Sequence, residues 1–342
     1  MNMIAAATRF AERAPLPDSL SLMGIDFLCG RTTRKLREEG ADAEARFAAE
    51  MDGFSIALHT DAANEQHYEL PAEFFALALG PNRKYSSCLY TGDAKTLGEA
   101  EVAALQETVA HANLHDGQSI LELGCGWGSL TLFMAARFPT SQITAVSNSH
   151  SQREYITAQA ALRGLSNVRV ITADMNHFHA DGSFDRIVSV EMFEHMSNWR
   201  GLLTRVRGWI KPEGRLFLHV FSHRTQPYRF EVSDNADWIA QYFFTGGIMP
   251  SHGLIRHFGD LFEVEEDWRW SGEHYRRTAM HWLENFDANA DRIGALMAKT
   301  YGADSAVWTR RWRLFFLATA GLFGHKRGEE WGVSHYLLKP AG

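Results

Sequence analysis

The segment from Leu121 to Gly128, Leu-Glu-Leu-Gly-Cys-Gly-Trp-Gly, constrains this chain more than any other. The run Ser119 to Leu123 reads as a buried strand. It enters glycines at 124, 126 and 128 directly before a helical pattern that opens at Ser129. Glycines at alternate positions allow positive φ and close backbone approach, and the next helix aims its N-terminal N–H groups at whatever lies beyond the strand. The flanking pattern agrees. A helix from Glu101 to Ala112 precedes the strand, and helix Ser129 to Phe138, strand Gln142 to Ser147 and helix Ser151 to Leu162 follow. Strands Val168 to Ala173 and Phe184 to Val190, helix Trp199 to Ile210 and strand Gly214 to Phe221 continue the alternation. Strands alternating with helices in this way predict an α/β fold, a parallel Rossmann-like sheet wound on both faces.

Outside that run the pattern changes. Residues 1–100 show helix-like stretches broken by Pro15, Pro17, Gly40, Pro71 and Pro81, which predicts an N-terminal helical cap before a core of residues 101–342. After Phe221 an aromatic stretch, Arg229 to Met249, precedes a strand at Phe262 to Trp270. Helices fill 276–323, and Gly332 to Leu338 reads as a last strand. Residues of about 222–261 therefore form a lid inserted over the ligand edge of the sheet.

Charge and cysteines narrow the function classes. The formal charge of -7 is spread over interleaved signs, so no basic stripe offers itself to nucleic acid. Cys29, Cys88 and Cys125 are odd in number and lack Cys-x-x-Cys spacing, which argues against a disulfide framework and a structural zinc site. A reducing, cytoplasmic setting is expected, since no signal-type h-region and no bilayer-length apolar run appears. A second copy of the chain is a candidate partner.

The residues around the glycines choose the ligand. A nicotinamide fingerprint spaces its glycines G-x-G-x-x-G and carries an acid near the end of the second strand for the ribose. Here Glu122 precedes Gly-Cys-Gly-Trp-Gly, and the second strand ends Val146-Ser147-Asn148-Ser149 without an acid. Asp174, after the third strand, can accept a hydrogen bond from an adenine amine. Singly, Asp174 reads as a helix cap and Gln152 as a solvated helical residue; with the glycine turn they point to S-adenosylmethionine, whose product is S-adenosyl-L-homocysteine.

Further motifs carry a resemblance. The chain is similar to the cyclopropane-fatty-acid-synthase-like class I methyltransferases, and within them to the coclaurine N-methyltransferase branch. The match runs over about residues 65–340. It rests on His67-Tyr68-Glu69-Leu70-Pro71, Lys84-Tyr85-Ser86-Ser87-Cys88, the glycine turn, Ser147-Asn148-Ser149 with Gln152, and Glu191-Met192-Phe193-Glu194-His195. His219-Val220-Phe221-Ser222-His223, Phe243-Phe244-Thr245-Gly246-Gly247, His274-Tyr275-Arg276-Arg277-Thr278 and Glu330 to Tyr336 complete it. The resemblance implies a seven-stranded, mostly parallel sheet. It implies Tyr85 and Ser86 over the methionine end of the cofactor, Gly124 and Gly126 with Gly128 and Glu122 in the amino-acid turn, Ser147, Asn148 and Gln152 at the ribose, and Asp174 and Met175 at the adenine.

Methyl transfer from a sulfonium is an in-line displacement that requires alignment and exclusion of water, with no metal. An amine attacks only when deprotonated, so a base with a pKa raised by burial is useful. Glu191, Glu194 and His195 follow the fourth strand, and a helical turn there would put both acids on one face. In isolation such a pair is a helix cap and a surface charge. The resemblance makes Glu194 and His195 the base or relay and Glu191 a substrate or cofactor-amine contact. Cyclopropanating relatives use bicarbonate held by Cys, Glu, His and Tyr; Glu194, His219 and Tyr275 match three positions, while Ser87 stands at the cysteine. Gly321 occupies a position where the alkaloid enzymes carry glutamate. Among the aromatic residues, Trp238, Tyr242, Phe243 and Phe244 offer faces to a flat or cationic acceptor, and Trp312, Phe315 and Phe316 are at core spacing. N-methylation of a hydrophobic or aromatic amine is the leading expectation. C-methylation or cyclopropanation of unsaturated acyl chains, with peripheral membrane contact, is the alternative.

Overall fold

The computed structural model describes Glu12, Ala14 and residues 16–58, 70–92, 94–231 and 238–342. The His67 to Glu69 part of one motif lies outside the described residues. Parallel strands β1 (Ser119–Leu123), β2 (Gln142–Ser147), β3 (Val168–Thr172), β4 (Phe184–Val190) and β5 (Ile210–His223) arise where the alternation placed them. With β8 (Phe262–Ser271) and β9 (Trp331–Pro340) they form a seven-stranded sheet in the order β3-β2-β1-β4-β5-β9-β8. Only β9 runs antiparallel to its neighbours. Ile120, Leu121 and Leu123 are fully buried, as a strand covered by helices on both faces requires. The order steps one way from β1 to β2 and the other way from β1 to β4. That switch opens a crevice beyond the carboxyl ends of β1 and β4.

The covering helices are α4 (Leu97–His111), α5 (Ser129–Arg137), α6 (His150–Leu162) and α7 (Trp199–Trp209), preceded by α1 (Asp18–Glu38), α2 (Ala43–Glu50) and α3 (Ala72–Ala78). Helix α4 starts ahead of the expected Glu101, because Thr96 and Glu99 form a capping box: Thr96 Oγ1 accepts from Glu99 N, and Glu99 returns a carboxylate to Thr96 N. Glu101 is instead a buried clamp that accepts hydrogen bonds from the backbone of Asn82 and Lys84, fixing the loop that carries Tyr85 and Ser86. Strand β5 also begins earlier than Gly214, since Ile210 pairs with Phe184 before the register shifts.

Residues 222–261 contain a two-stranded ribbon, β6 (Tyr228–Arg229) with β7 (Ile248–Met249), and a short helix α8 (Trp238–Tyr242). Helices α9 (Gly272–Ala288), α10 (Ala290–Tyr301) and α11 (Ser305–Gly324) follow β8. Helix α1 packs on α11, and α3 on α9. Between them lies a dense aromatic core: Phe74, Phe75, Trp282, Trp312 and Phe316 are buried, and Phe243 stacks on Phe315 with centroids 4.4 Å apart. Trp312 and Phe316 are thus packing residues, as their spacing suggested. Cys29, Cys88 and Cys125 are buried free thiols.

Candidate active site

A cavity opens at the β1/β4 crevice. Gly124 (φ 78°) and Gly126 (φ 52°) line it in the left-handed region that favours glycine. They are not equivalent. A Cβ on Gly124 would come within 2.5 Å of the Met192 side chain, whereas one on Gly126 would meet no atom of the described residues within 4 Å, in line with its place on the cavity lining. Gly128, also expected at the cofactor, is absent from the lining. It begins α5, and a Cβ there would lie 2.5 Å from Ile156 of α6, so its small size serves helix packing. Glu122 lies on the lining with Thr131 Oγ1 donating to its Oε2 at 2.5 Å, and burial pushes its carboxyl up to about 8.

Ser147 Oγ donates to Gln152 Oε1 at 2.6 Å. This bond fixes the Gln152 amide and leaves Nε2 buried without a hydrogen-bond partner among the described residues. An unpaired buried donor at the cavity edge awaits an acceptor. Asp174 holds Asn176 N on Oδ1 at 2.7 Å and lines the cavity with Met175 and Asn148; Tyr85 and Ser86 close the opposite side. The backbone cradle at Gly126, the orphaned amide and the terminal acid fit the amino acid, ribose and adenine parts of S-adenosylmethionine. When bound, that cofactor supplies an electrophilic methyl carbon on a sulfonium.

The reacting end is organised differently from expectation. Glu191 takes φ 49°, a left-handed backbone that costs a non-glycine residue about 1–2 kcal/mol. That kink rules out the helical face shared with Glu194. It also turns the Glu191 carboxylate into a hub: Ser87 N donates to Oε1 at 2.9 Å, His219 Nε2 sits 3.1 Å from Oε1, and Tyr275 Oη donates to Oε2 at 2.6 Å. Burial raises the Glu191 carboxyl, opposed by the nearby Lys84 charge.

Among the described residues Glu194 makes no hydrogen bond to His219 or Tyr275, although its charge acts on the Tyr275 hydroxyl. It sits in the turn Phe193–His195, fully buried and off the lining, with Oε1 accepting Phe221 N–H at 2.6 Å and Oε2 unbonded among the described residues. Burial first, and Glu191 second, hold its carboxyl well above the usual range. His219 is likewise behind the lining, whereas His195 is on it, stacked on Phe244 with centroids 4.9 Å apart. Ser87 reaches Glu191 through its backbone N–H. Its hydroxyl donates to Cys88 O, and burial pushes the Cys88 thiol up to about 12.

Two positions gained meaning only in the fold. Lys84 is buried, its Nζ donating to Ser86 Oγ at 2.5 Å and to Ser87 O at 2.6 Å, which locks the loop that presents Ser87 N to Glu191. Gly321 backs onto α1, where a Cβ would lie 2.6 Å from Ile25, and it is absent from the cavity lining. Phe221, Phe244, Phe315, Trp282 and Tyr275 supply the apolar wall.

A sheet of this order, with a glycine turn at its switch point and a cavity shaped for this cofactor, defines a class I S-adenosylmethionine-dependent methyltransferase. The chain belongs to the mycolic acid cyclopropane synthetase family, whose model matches residues 58–329. It is 38% identical over 289 residues to the (S)-coclaurine N-methyltransferase of Thalictrum flavum subsp. glaucum, spanning 83% of this chain and 80% of that protein. With the cyclopropane-fatty-acyl-phospholipid synthase of Escherichia coli (strain K12) it shares 32% identity over 272 residues, 79% of this chain and 66% of that one. The crystal structure of coclaurine N-methyltransferase bound to N-methylheliamine and SAH superposes with a TM-score of 0.92 at 35% identity, covering 99% of this chain and 100% of that chain. A cyclopropane synthase from Mycobacterium tuberculosis shares the fold, with a TM-score of 0.69 at 23% identity and coverage of 84% and 100%. The chain is an enzyme of methyl transfer, and among the described residues no helix is long and apolar enough to cross a membrane.

Proposed function

We propose that this enzyme transfers the methyl group of S-adenosylmethionine to the nitrogen of a hydrophobic or aromatic small-molecule amine. The observation that carries the reading is the Glu191 carboxylate, wedged between Ser87 N–H, His219 and Tyr275. A cyclopropanating site needs a free anion as base among these groups, and here a side chain already engages them. The relatives named for N-methylation support the same choice.

In this reading the apolar wall of Phe221, Phe244 and Phe315 excludes water and holds the acceptor body, favouring the neutral amine. Glu191 and His195 on the lining take the ammonium proton that otherwise blocks the nitrogen lone pair, and Glu194, one layer behind and with no hydrogen-bond partner for Oε2 among the described residues, assists them. The nitrogen lone pair then attacks in line as the carbon–sulfur bond breaks. Incubation with methyl-labelled cofactor, a panel of cyclic secondary amines and unsaturated phospholipid tests the assignment. Label is expected in an N-methyl product; label confined to acyl chains overturns it and restores cyclopropanation or C-methylation.

A further inference from the structure

Deprotonating an acceptor at a buried carboxylate creates a second problem, because a carboxylate that has taken one proton cannot serve again until that proton leaves. Behind Glu191 the structure holds a continuous row of imidazoles. His219 Nε2 is 3.1 Å from Glu191 Oε1, His219 Nδ1 is 2.8 Å from His335 Nε2, and His335 Nδ1 is 2.8 Å from His111 Nδ1. At the far end His111 Nε2 is 3.1 Å from Glu107 Oε1, whose side chain is 42% exposed. The sheet register builds the row: His219 on β5 is paired directly with His335 on β9, and His335 with Trp268 on β8. His111, at the end of α4, lies flat on Trp268, centroids 3.7 Å apart and planes 6° from parallel. Phe217 and Trp270 pack edge-on or tilted against His335, so the inner rings are wrapped in aromatic surface.

We propose that His219, His335 and His111 form a proton path that carries the proton taken up at Glu191 to Glu107 at the surface. The inference rests on the amine reading for the origin of that proton. The row uses both nitrogens of every ring, whereas a buried histidine serving only structure needs partners and not a continuous line to solvent. Among the described residues no group of His, Cys, Asp or Glu has metal-holding geometry, so a shared ion does not explain the alignment.

The transfer balances one proton in against one out. The amine N–H bond breaks and a Glu191 O–H bond forms. That proton passes to His219 Nε2, the Nδ1 proton of His219 to His335 Nε2, the Nδ1 proton of His335 to His111 Nδ1, and the Nε2 proton of His111 to Glu107 and water. Burial pulls His219 and His335 well below the ordinary imidazole value, with Lys84 and His219 respectively as next causes, which favours the neutral ring with its one donor and one acceptor nitrogen. His111 is lowered by burial against the opposing charges of Glu107 and Glu266.

Full-length His335→Phe and His111→Phe test the path, since phenyl keeps ring packing but carries no proton. With a cyclic secondary amine as acceptor, kcat is expected to fall about tenfold to hundredfold with KM values little changed, and the solvent deuterium isotope effect to rise. Added imidazole buffer is expected to restore part of the His111→Phe rate from the open end. Wild-type kcat and isotope effect in both variants would overturn the path, as would a loss matched by equal weakening of cofactor binding without buffer rescue. Should His335→Phe fail to fold, the more accessible His111→Phe decides alone. If the wild-type enzyme methylates no amine, the acceptor reading fails separately, and the same variants assayed on unsaturated phospholipid still decide the path, because cyclopropanation also releases a proton.

Discussion

Along the cavity from Gly124 to Asp174 the wall is glycine backbone, short polar side chains and the apolar Trp127, Leu130 and Val146, delivered by the turns after β1, β2 and β3 and the starts of α5 and α6. Around Glu191 the groups come from the loop at 84–88, the end of β4, the middle of β5 and the start of α9, with His335 of β9 behind them. The first wall depends on φ angles and on space left empty. The second depends on hydrogen bonds between residues far apart in the chain. Hence the cofactor side fails by steric insult, whereas the reacting side fails by loss of charge or of a single proton acceptor.

The largest separation between the two sides is expected from Glu191→Gln. The amide keeps the size of the hub but loses its basic oxygen pair, so kcat is expected to drop by about 10²–10⁴ while the cofactor dissociation constant moves little. Single-turnover rates beside calorimetric titration with S-adenosylhomocysteine check this; equal losses in both would merge the two sides. Next comes Gly124→Ala, which combines a left-handed backbone with a contact at 2.5 Å from Met192. It is expected to destabilise the fold by about 2–4 kcal/mol and weaken cofactor binding. Gly126→Ala, with open space, should cost only about 1–2 kcal/mol of stability. Urea unfolding of the pair reads the difference, and equal midpoints would remove the distinction between a packing glycine and a cradle glycine.

A pH-dependent effect, separate from the two glycine substitutions, is expected at Glu122 in the cofactor-free protein. Its folded carboxyl, pushed up to about 8 by burial, keeps a proton that the unfolded chain releases near 4.5. The native state therefore binds more protons than the unfolded one between those values, and stability falls as pH rises through that window. Glu122→Gln removes the titration. Its advantage over the wild type should grow from pH 5 to pH 8 and then level off, by on the order of a few kcal/mol at most. Denaturant midpoints at pH 5.5 and 8.5 measure it, and a gap independent of pH would place the ionised form comfortably in the fold.

How legible each side was follows the same division. The glycine turn, Ser147 with Gln152, and Asp174 lie on local sequence patterns, because a strand-to-helix turn needs residues whose φ and size are visible in the residue type itself. Glu191 and Glu194 were visible as a pair, but which of them hydrogen-bonds His219 and Tyr275 was not. The φ of 49° at Glu191 is set by the backbone around it, and that angle decides which acid meets Tyr275 and His219. Glu101 looked like a helix start and is a buried clamp, since the helix is capped earlier by Thr96 and Glu99. Gly321 looked like a missing acid at the acceptor and is a close packing contact with Ile25, a fact held by helix α1 and unreadable from either segment alone.

Local chemistry in the chain by itself determined the parallel sheet, the turn that meets the cofactor and the exclusion of a dinucleotide, because hydrophobic period, glycine placement and the missing acid after β2 act over a few residues. Only the tertiary structure decided which carboxylate is the hub and that three histidines stand in line behind it. Those facts depend on β5, β9 and α4 lying side by side, and strand register aligns residues more than a hundred positions apart, such as His219 and His335, with no trace in the sequence near either.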